Sequence, residues 1–466
     1  MRLLLYCFAA LLCTAGLVSA QQEPRALERE ILKQLIEINT SDSARHTDVA
    51  AKAMAARLTE AGLAPDDVRL IETAPGITNL VARYRSRGGS AKPILLMAHL
   101  DVVGARREDW SFDPFTFREA EGYYYGRGSS DNKAGAAMLV ANFVRYKREG
   151  FVPARDLVIV LTGDEETTGE GIQGLLEKHR ELVDADFALN TDAGGGELRD
   201  GKAIAFAVQT AEKVYLTFQL ETRNKGGHSS VPEPNNAIYQ LSSGLNRLAR
   251  FAFPVRLNET TREFLTRSAA TQPPRLAALM RAVARNRDAA AARRLSAEAP
   301  YYNALLRTTC VATRLFAGHA DNALPQLARA TVNCRLLPDD PPDSAEAMLR
   351  RVLADTGIHI SRVREPTLSP ASPLRPDVIQ PVTALARRMW PGAAVVPEMS
   401  TGATDGLYVR NAGIPVYGTS AVFERIDDIR AHGRDERIGV KAYHEAADYW
   451  YQLVKTLASS QRETAS

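Results

Sequence analysis

A doubly wound α/β fold with a mostly parallel sheet, interrupted by an inserted α+β segment, is what three features of this 466-residue sequence predict. Short apolar runs end in polar clusters, and helical patterns lie between those runs. The texture then changes between about residues 211 and 338, after which the first pattern resumes. In such sheets crossover helices cover both faces, and the ligand crevice lies outside the carboxyl ends of the strands. The composition is that of a globular chain, with 45% hydrophobic and 24% charged residues. It excludes a disordered, collagen-like or disulfide-scaffold protein. With 58 Lys and Arg against 55 Asp and Glu, the formal charge of +3 gives no electrostatic case for nucleic acid.

Residues 1–20 read as a secretory signal peptide: Arg2, an apolar run from Leu3 to Val18, and small residues up to Ala20 before Gln21. That run is shorter than the roughly 20 residues a spanning helix needs, and no later stretch is long enough. The expectation is a periplasmic or secreted protein with no membrane span. Removing the peptide leaves Cys310 and Cys334 as the remaining cysteines.

Helical spacing runs over Pro24–Asn39 and Asp48–Leu63, with Gly62 as a stop signal. Asn79–Tyr84 reads as a strand. Ile94–Met97 is a fully apolar run that delivers Ala98-His99-Leu100-Asp101 at its end. Ala134–Arg148 is a helix that stops at Gly150. Leu157–Leu161 leads into Gly163-Asp164-Glu165-Glu166, Phe187–Leu189 into Asn190-Thr191-Asp192, and Pro415–Tyr417 into Gly418-Thr419-Ser420. Within the insertion, Val214–Glu221 alternates as a strand does, and Asn236–Ala252 is helical. The runs Thr308–Phe316 and Ala328–Leu336 form a hairpin centred near Asn322 that sets Cys310 opposite Cys334. A disulfide and a pair of buried thiols both fit that placement. Ala269–Ala299 reads as exposed helix, and its Arg281, Arg285, Arg287, Arg293 and Arg294 as a solvated face in preference to a partner site. The expected boundaries are 21–210 and 339–466 for the main domain and 211–338 for the insertion.

The strand ends collect His99, Asp101, Asp131, Glu165, Glu166 and Asp192, with His432 near the C-terminus. Each motif alone carries little, since a His-x-Asp or a Glu-Glu pair is common on ordinary surfaces. Carboxylates crowded into one crevice repel each other unless a cation compensates them. A mixed imidazole and carboxylate set suits Zn²⁺ or a related divalent metal, and a shared carboxylate between two ions is the economical arrangement.

The stretches LLMAHLDVVGA (95–105), WSFDPF (110–115), YYYGRGSSDNKAG (123–135), LTGDEETTG (161–169), NTDAGGG (190–196), GGHSS (226–230), NALPQLARATVNCRLLP (322–338) and STGATDG (400–406) follow one another along the chain. In these it resembles the zinc-dependent exopeptidases that include glutamate carboxypeptidase, carnosinase, yeast carboxypeptidase S and the aminoacylases. The resemblance implies two Zn²⁺ per chain, with Co²⁺ or Mn²⁺ able to fill the same shell. Asp131 is then the bridging carboxylate, His99 and Asp192 complete one site, and Glu166 and His432 the other. It further implies Glu165 as general base, Asp101 as the residue that orients His99, and His228 as an oxyanion-stabilising histidine reaching into a neighbouring subunit. Asn322 and Arg335 match substrate-holding positions, and Thr404 and Asp405 line the substrate side. STGATDG departs there from the family's glycine pattern.

The insertion is thereby expected to act as a lid and dimerisation domain in a homodimer. The expected activity is hydrolysis of the amide bond beside a C-terminal amino acid with a free carboxylate, in a small peptide. An aminoacylase acting on N-acyl amino acids and a dipeptidase need the same activated water. A non-catalytic periplasmic ligand-binding protein fits export and a two-domain crevice, but has no use for Glu165.

Overall fold

A computed structural model describes residues 23–43, 46–88, 91–286, 288–425 and 427–459, so the expected signal peptide lies outside the described residues. The chain divides into two compact units, the first made of residues up to 209, 373–395 and from 404 onward, the second of 210–372 and 396–403.

The elements begin with α1 (23–36), α2 (Thr47–Glu60), β1 (Val68–Ala74), β2 (Ile77–Tyr84), β3 (Ile94–His99), β4 (Arg118–Ala120), β5 (Tyr123–Tyr125) and α3 (Lys133–Arg148). There follow β6 (Leu157–Thr162), α4 (Glu170–Lys178), α5 (Arg180–Val183), β7 (Phe187–Asn190), β8 (Gly195–Arg199) and β9 (Lys202–Glu212). The middle of the chain holds β10 (Val214–Arg223), β11 (Gly227–His228), α6 (Ala237–Ala249), α7 (Glu259–Ser268), α8 (Pro274–Asn286), α9 (Ala289–Glu298) and α10 (Pro300–Leu306). Then come β12 (Thr309–Ala317), β13 (Ala323–Leu324), β14 (Leu327–Leu336), α11 (Pro342–Leu353) and β15 (His359–Arg362). The chain closes with α12 (Pro376–Met389), β16 (Ala394–Ser400), α13 (Gly406–Asn411), β17 (Val416–Gly418), β18 (Phe423–Arg425), β19 (Arg437–Gly439) and α14 (Val440–Ser459).

In the first unit the strand order is β1-β2-β6-β3-β7-β17-β9-β8-β18. The central run β6-β3-β7-β17 is parallel. The flanks are where the sheet turns antiparallel, at β2 against β6 and at β9 against β17 and β8. Every residue of β3 and β6 is buried. Because side chains alternate across a strand, Ile94, Leu96 and Ala98 enter one core with α3 and α14, while Leu95 and Met97 enter another with Ile172 and Leu175 of α4. Each such Leu or Ile contributes about 1.5–3 kcal/mol by leaving water. Helices on both faces confirm the expected doubly wound sheet.

The second unit is built on an antiparallel sheet, β12-β14-β10-β15. Leu216, Phe218 and Leu220 of β10 pack with Leu241 of α6 and with Leu349 and Leu353 of α11. The expected boundary at 338 therefore has to move: α11 and β15 complete this core, and the compact unit runs to residue 372. Local periodicity reports that a helix is amphipathic, not which core receives it. Ala269–Ala299 also departs from a plain exposed helix. It folds as α8 and α9, which bury Ala277, Met280, Val283, Ala292 and Leu295 in a small core with Leu265 of α7. In the β12–β14 register Cys310 faces Cys334, and the two sulfurs are bonded.

Candidate metal centre and active site

The parallel register sets His99 beside Thr162 and Met97 beside Asn190, which brings the ends of β3, β6 and β7 level. The acidic loops leave from those ends. Asp131 arrives from the side, just before α3, where Thr191 Oγ1 donates to Asn132 Oδ1 at 2.7 Å. Gly135 permits this close approach, since a Cβ there would lie 2.1 Å from Thr191 Oγ1. Asp192 is aimed by its own backbone N–H, which donates to Asn190 Oδ1 at 3.1 Å.

His99 is 1% exposed, and its Nδ1–H donates to the Asp101 carbonyl at 3.0 Å. That leaves Nε2 facing Asp131 Oδ1 at 3.0 Å and Asp192 Oδ1 at 3.4 Å. On the other side His432 Nε2 lies 3.0 Å from Glu166 Oε1 and 3.2 Å from Asp131 Oδ2. One carboxylate thus turns one oxygen to each histidine. Donor atoms of His99, Asp131 and Glu166, and those of His99, Glu165 and Asp192, lie within 4.8 Å of one another. An imidazole lone pair directed at two carboxylate oxygens requires a proton or a metal cation between them. The N/O donor set fits a borderline divalent ion.

The carboxyl of Asp101 sits behind the His99 ring, with Oδ1 3.5 Å from Nδ1, and works as a clamp. Its two oxygens accept the backbone N–H groups of Glu165 at 3.1 Å and Glu166 at 3.0 Å, while its carbonyl fixes the His99 tautomer. Beside it Asp164 accepts from the N–H groups of Glu170 and Gly171, anchoring the start of α4. Glu436 does the same for Asp131: fully buried, it accepts from the N–H of Gly128, Ser130 and Asp131 and from Arg127 Nη1. The sequence marks Glu436 only weakly for this role. The only signal was its place in the acidic pair that follows His432-Gly433.

Burial pushes the Asp192 carboxyl up to about 7, with the charges of Asp131 and Glu166 adding to the shift. Burial, reinforced by Asp192, also holds Glu165 well above the ordinary carboxylate range. For His99 burial acts downward, but Asp192, Asp101 and Asp131 outweigh it and keep the ring charged well above its usual value. Hydrogen bonds to Asp131 and Glu166 push His432 up to about 10. His99, Glu165, Asp192 and His432 thus favour retaining a proton, whereas the two histidines hold Asp131 low against its burial. This is the signature of a site short of positive charge.

Thr404 and Asp405 are buried. Asp405 Oδ2 accepts from Thr162 Oγ1 at 2.6 Å, and Thr404 Oγ1 accepts from Asn190 Nδ2 at 3.3 Å. Their side chains brace the ends of β6 and β7, where an outward substrate contact had been expected. In the second unit His228 and Asn322 lie together on β11 and at the edge of β13, where Ser229 N donates to Asn322 O at 3.0 Å. Exposed, His228 has its Nδ1 2.7 Å from Ser230 Oγ and 3.2 Å from Ser230 N, which leaves Nε2 facing outward. Arg335 lies near the far end of β14, opposite Tyr215, with its guanidinium over that ring at 4.6 Å. Eight residues of strand, roughly 26 Å, separate it from Leu327 at the His228 end.

The sequence from 95 to 456 matches the model of peptidase family M20/M25/M40. The chain belongs to this family. Peptidase family M20/M25/M40 members are metal-dependent hydrolases of amide bonds, and so is this protein. Human N-fatty-acyl-amino acid synthase/hydrolase PM20D1 is 28% identical over 386 residues, 80% of this chain and 75% of that one. The probable carboxypeptidase S-like 2 of Dictyostelium discoideum is 28% identical over 81% of this chain and 74% of its own. Mouse aminoacylase-1 is 26% identical over 84% and 86%. Among solved structures, the M20 family metallo-carboxypeptidase Sso-CP2 of Sulfolobus solfataricus superposes with a TM-score of 0.69 at 19% identity, over 92% of this chain and 99% of that one. The Bacillus subtilis YXEP protein, a dinuclear metal-binding peptidase, gives 0.60 at 13% identity over 94% and 99%. These likenesses show a shared fold.

Proposed function

We propose that this protein is an exported di-zinc exopeptidase of carboxypeptidase type that hydrolyses the amide bond beside a C-terminal amino acid with a free carboxylate. The observation that carries the dinuclear reading is the Asp131 carboxylate, with one oxygen toward His99 and the other toward His432. His99, Asp131 and Asp192 would hold one ion, and Asp131, Glu166 and His432 the other. Bound ions would supply Lewis-acid activation of a water molecule. Glu165, kept basic by its surroundings, takes the proton from water and returns it to the departing amine. Asp101 keeps both the base and His99 in register. Arg335, a planar fork with its charge partly buried, suits the substrate carboxylate.

His228 and Asn322 lie too far along the sheet from Arg335 to share one substrate with it inside a single unit. A homodimer through the second unit, in which His228 serves the other subunit's substrate, accommodates this. Strand β12 supports that reading: it is the edge of its sheet and exposes Val311, Leu315 and Phe316. Export is read from residues 1–20. Among the described residues no helix is long and apolar enough to cross a membrane.

A second reading, an aminoacylase that removes an acyl group from N-acyl amino acids, is favoured by the likeness to PM20D1 and aminoacylase-1. Elemental analysis joined to assays on a peptide with a free C-terminus, an N-acyl amino acid and a dipeptide, before and after chelation, tests both. About two zinc per chain with chelator-sensitive release of the C-terminal residue is the expected result. Faster turnover of the acyl amino acid by orders of magnitude establishes the second reading. No metal uptake and no turnover with added zinc or cobalt defeats both.

A further inference from the structure

Away from the metal cluster, the first unit holds a cavity of about 1130 Å³ that shares no residue with it. Its floor is apolar: Trp390 and Phe423 meet with ring centroids 4.7 Å apart, and Met389 lies beside them. Six carboxylates and four cationic side chains line the walls. Three of those cations are committed, Arg437 to Asp428, Arg425 to Asp427 at 2.8 Å, and Lys441 to Glu445 at 3.7 Å.

Glu424 is not matched in this way. It sits on β18 next to Phe423 and lines the cavity, and its carboxylate makes no hydrogen bond or ion pair among the described residues. Taking a carboxylate out of water without a partner is costly, and the cost is recovered when a cation arrives. The Trp390 and Phe423 rings, packed against each other and against Phe206, offer an apolar edge for the body of such a cation.

We propose that this cavity is a second ligand site that takes an organic cation, a primary ammonium or guanidinium group on an aromatic or alkyl body, and that its occupancy steadies the segment carrying His432. The segment begins at the cavity wall with Asp427 and Asp428 and returns to it at Arg437. Arg437 also donates to Tyr125 Oη at 3.0 Å and directly follows Glu436, the residue that holds Asp131. Both ends of the segment therefore form part of the cavity wall. The inference stands on this cavity alone and does not rest on the proposed reaction.

Calorimetric titration of the full chain with 2-phenylethylamine and with neutral 2-phenylethanol tests it, before and after chelation. The amine binds more tightly than the alcohol in both states, and Glu424→Gln weakens the amine about 10-fold or more while leaving the alcohol unchanged. Amide hydrogen exchange over residues 427–439 slows when the amine is bound. Equal affinity for amine and alcohol overturns the site without recourse to any variant. Displacement of the amine by a C-terminal peptide substrate overturns its separateness, and unchanged exchange overturns the link to His432.

Discussion

The two halves of the candidate metal centre are made differently. His99 closes a strand with both faces buried, is 1% exposed, and has its tautomer set by a backbone carbonyl two residues away. His432 is 54% exposed and sits in a loop with left-handed backbone at both His432 (φ 62°) and Asp435 (φ 51°), a conformation that costs a non-glycine residue about 1 kcal/mol or more. One half is held by the core of the sheet. The other is held by the ion pairs of its own loop, Arg430 with Asp428 and Arg437 with Asp428, and by Glu436. The contrast separates a rigidly held candidate ligand from an adjustable one.

The largest effect belongs to the rigid half. Glu165→Gln is expected to lower kcat by about 10²–10⁴-fold while metal content, read by elemental analysis, stays at the wild-type value. Loss of metal together with activity would make Glu165 a ligand and redraw the boundary between the halves. Urea unfolding of the chelated protein then compares the histidines. His99→Ala leaves buried carboxylates without a counter-charge and is expected to cost about 3–5 kcal/mol. His432→Ala should cost no more than about 1 kcal/mol at its exposed position, yet lose one metal equivalent. Equal destabilisation would erase the distinction.

A smaller effect is expected at the clamp. Asp101→Asn keeps the shape but weakens the pull on two backbone N–H groups, and should reduce metal affinity by about 10–100-fold in a competition assay. The smallest is a pH trend. Asp192 holds its proton up to about pH 7 in the folded chain, above its unfolded value near 4, so the folded state binds the extra proton between those limits. Stability of the chelated protein should therefore fall as pH rises from about 5 to 7. Saturating zinc should flatten that trend, and melts run in parallel with and without metal would show it.

Much of this was legible because strand ends announce themselves. Ile94–Met97 and Leu157–Leu161 are too uniformly apolar to be anything but doubly covered strands, and the polar residues that interrupt them must lie at the rim. Membership of one cluster followed from that geometry, helped by family resemblance. What stayed hidden depends on partners distant in sequence. α11 and β15 look like continuations of the first unit until β10 supplies their partner surface. Alanines in α8 and α9 read as exposed because their core is small and built largely from themselves and α7. Glu436 gave no sign of its importance, since what it holds are backbone N–H groups some 300 residues earlier.

The bond between Cys310 and Cys334 ties the outermost strand of the second unit's sheet to its neighbour. Thiols persist in a reducing cytosol and pair in oxidising compartments. The chain from Gln21 onward, produced in the two settings, would therefore yield two preparations of identical mass to within two hydrogens. The metal cluster would be equally complete in both, because it draws on no cysteine. They would differ in how firmly the rim of the second unit resists fraying. A laboratory comparing batches should look for the discrepancy in assembly and shelf life before looking for it in catalysis.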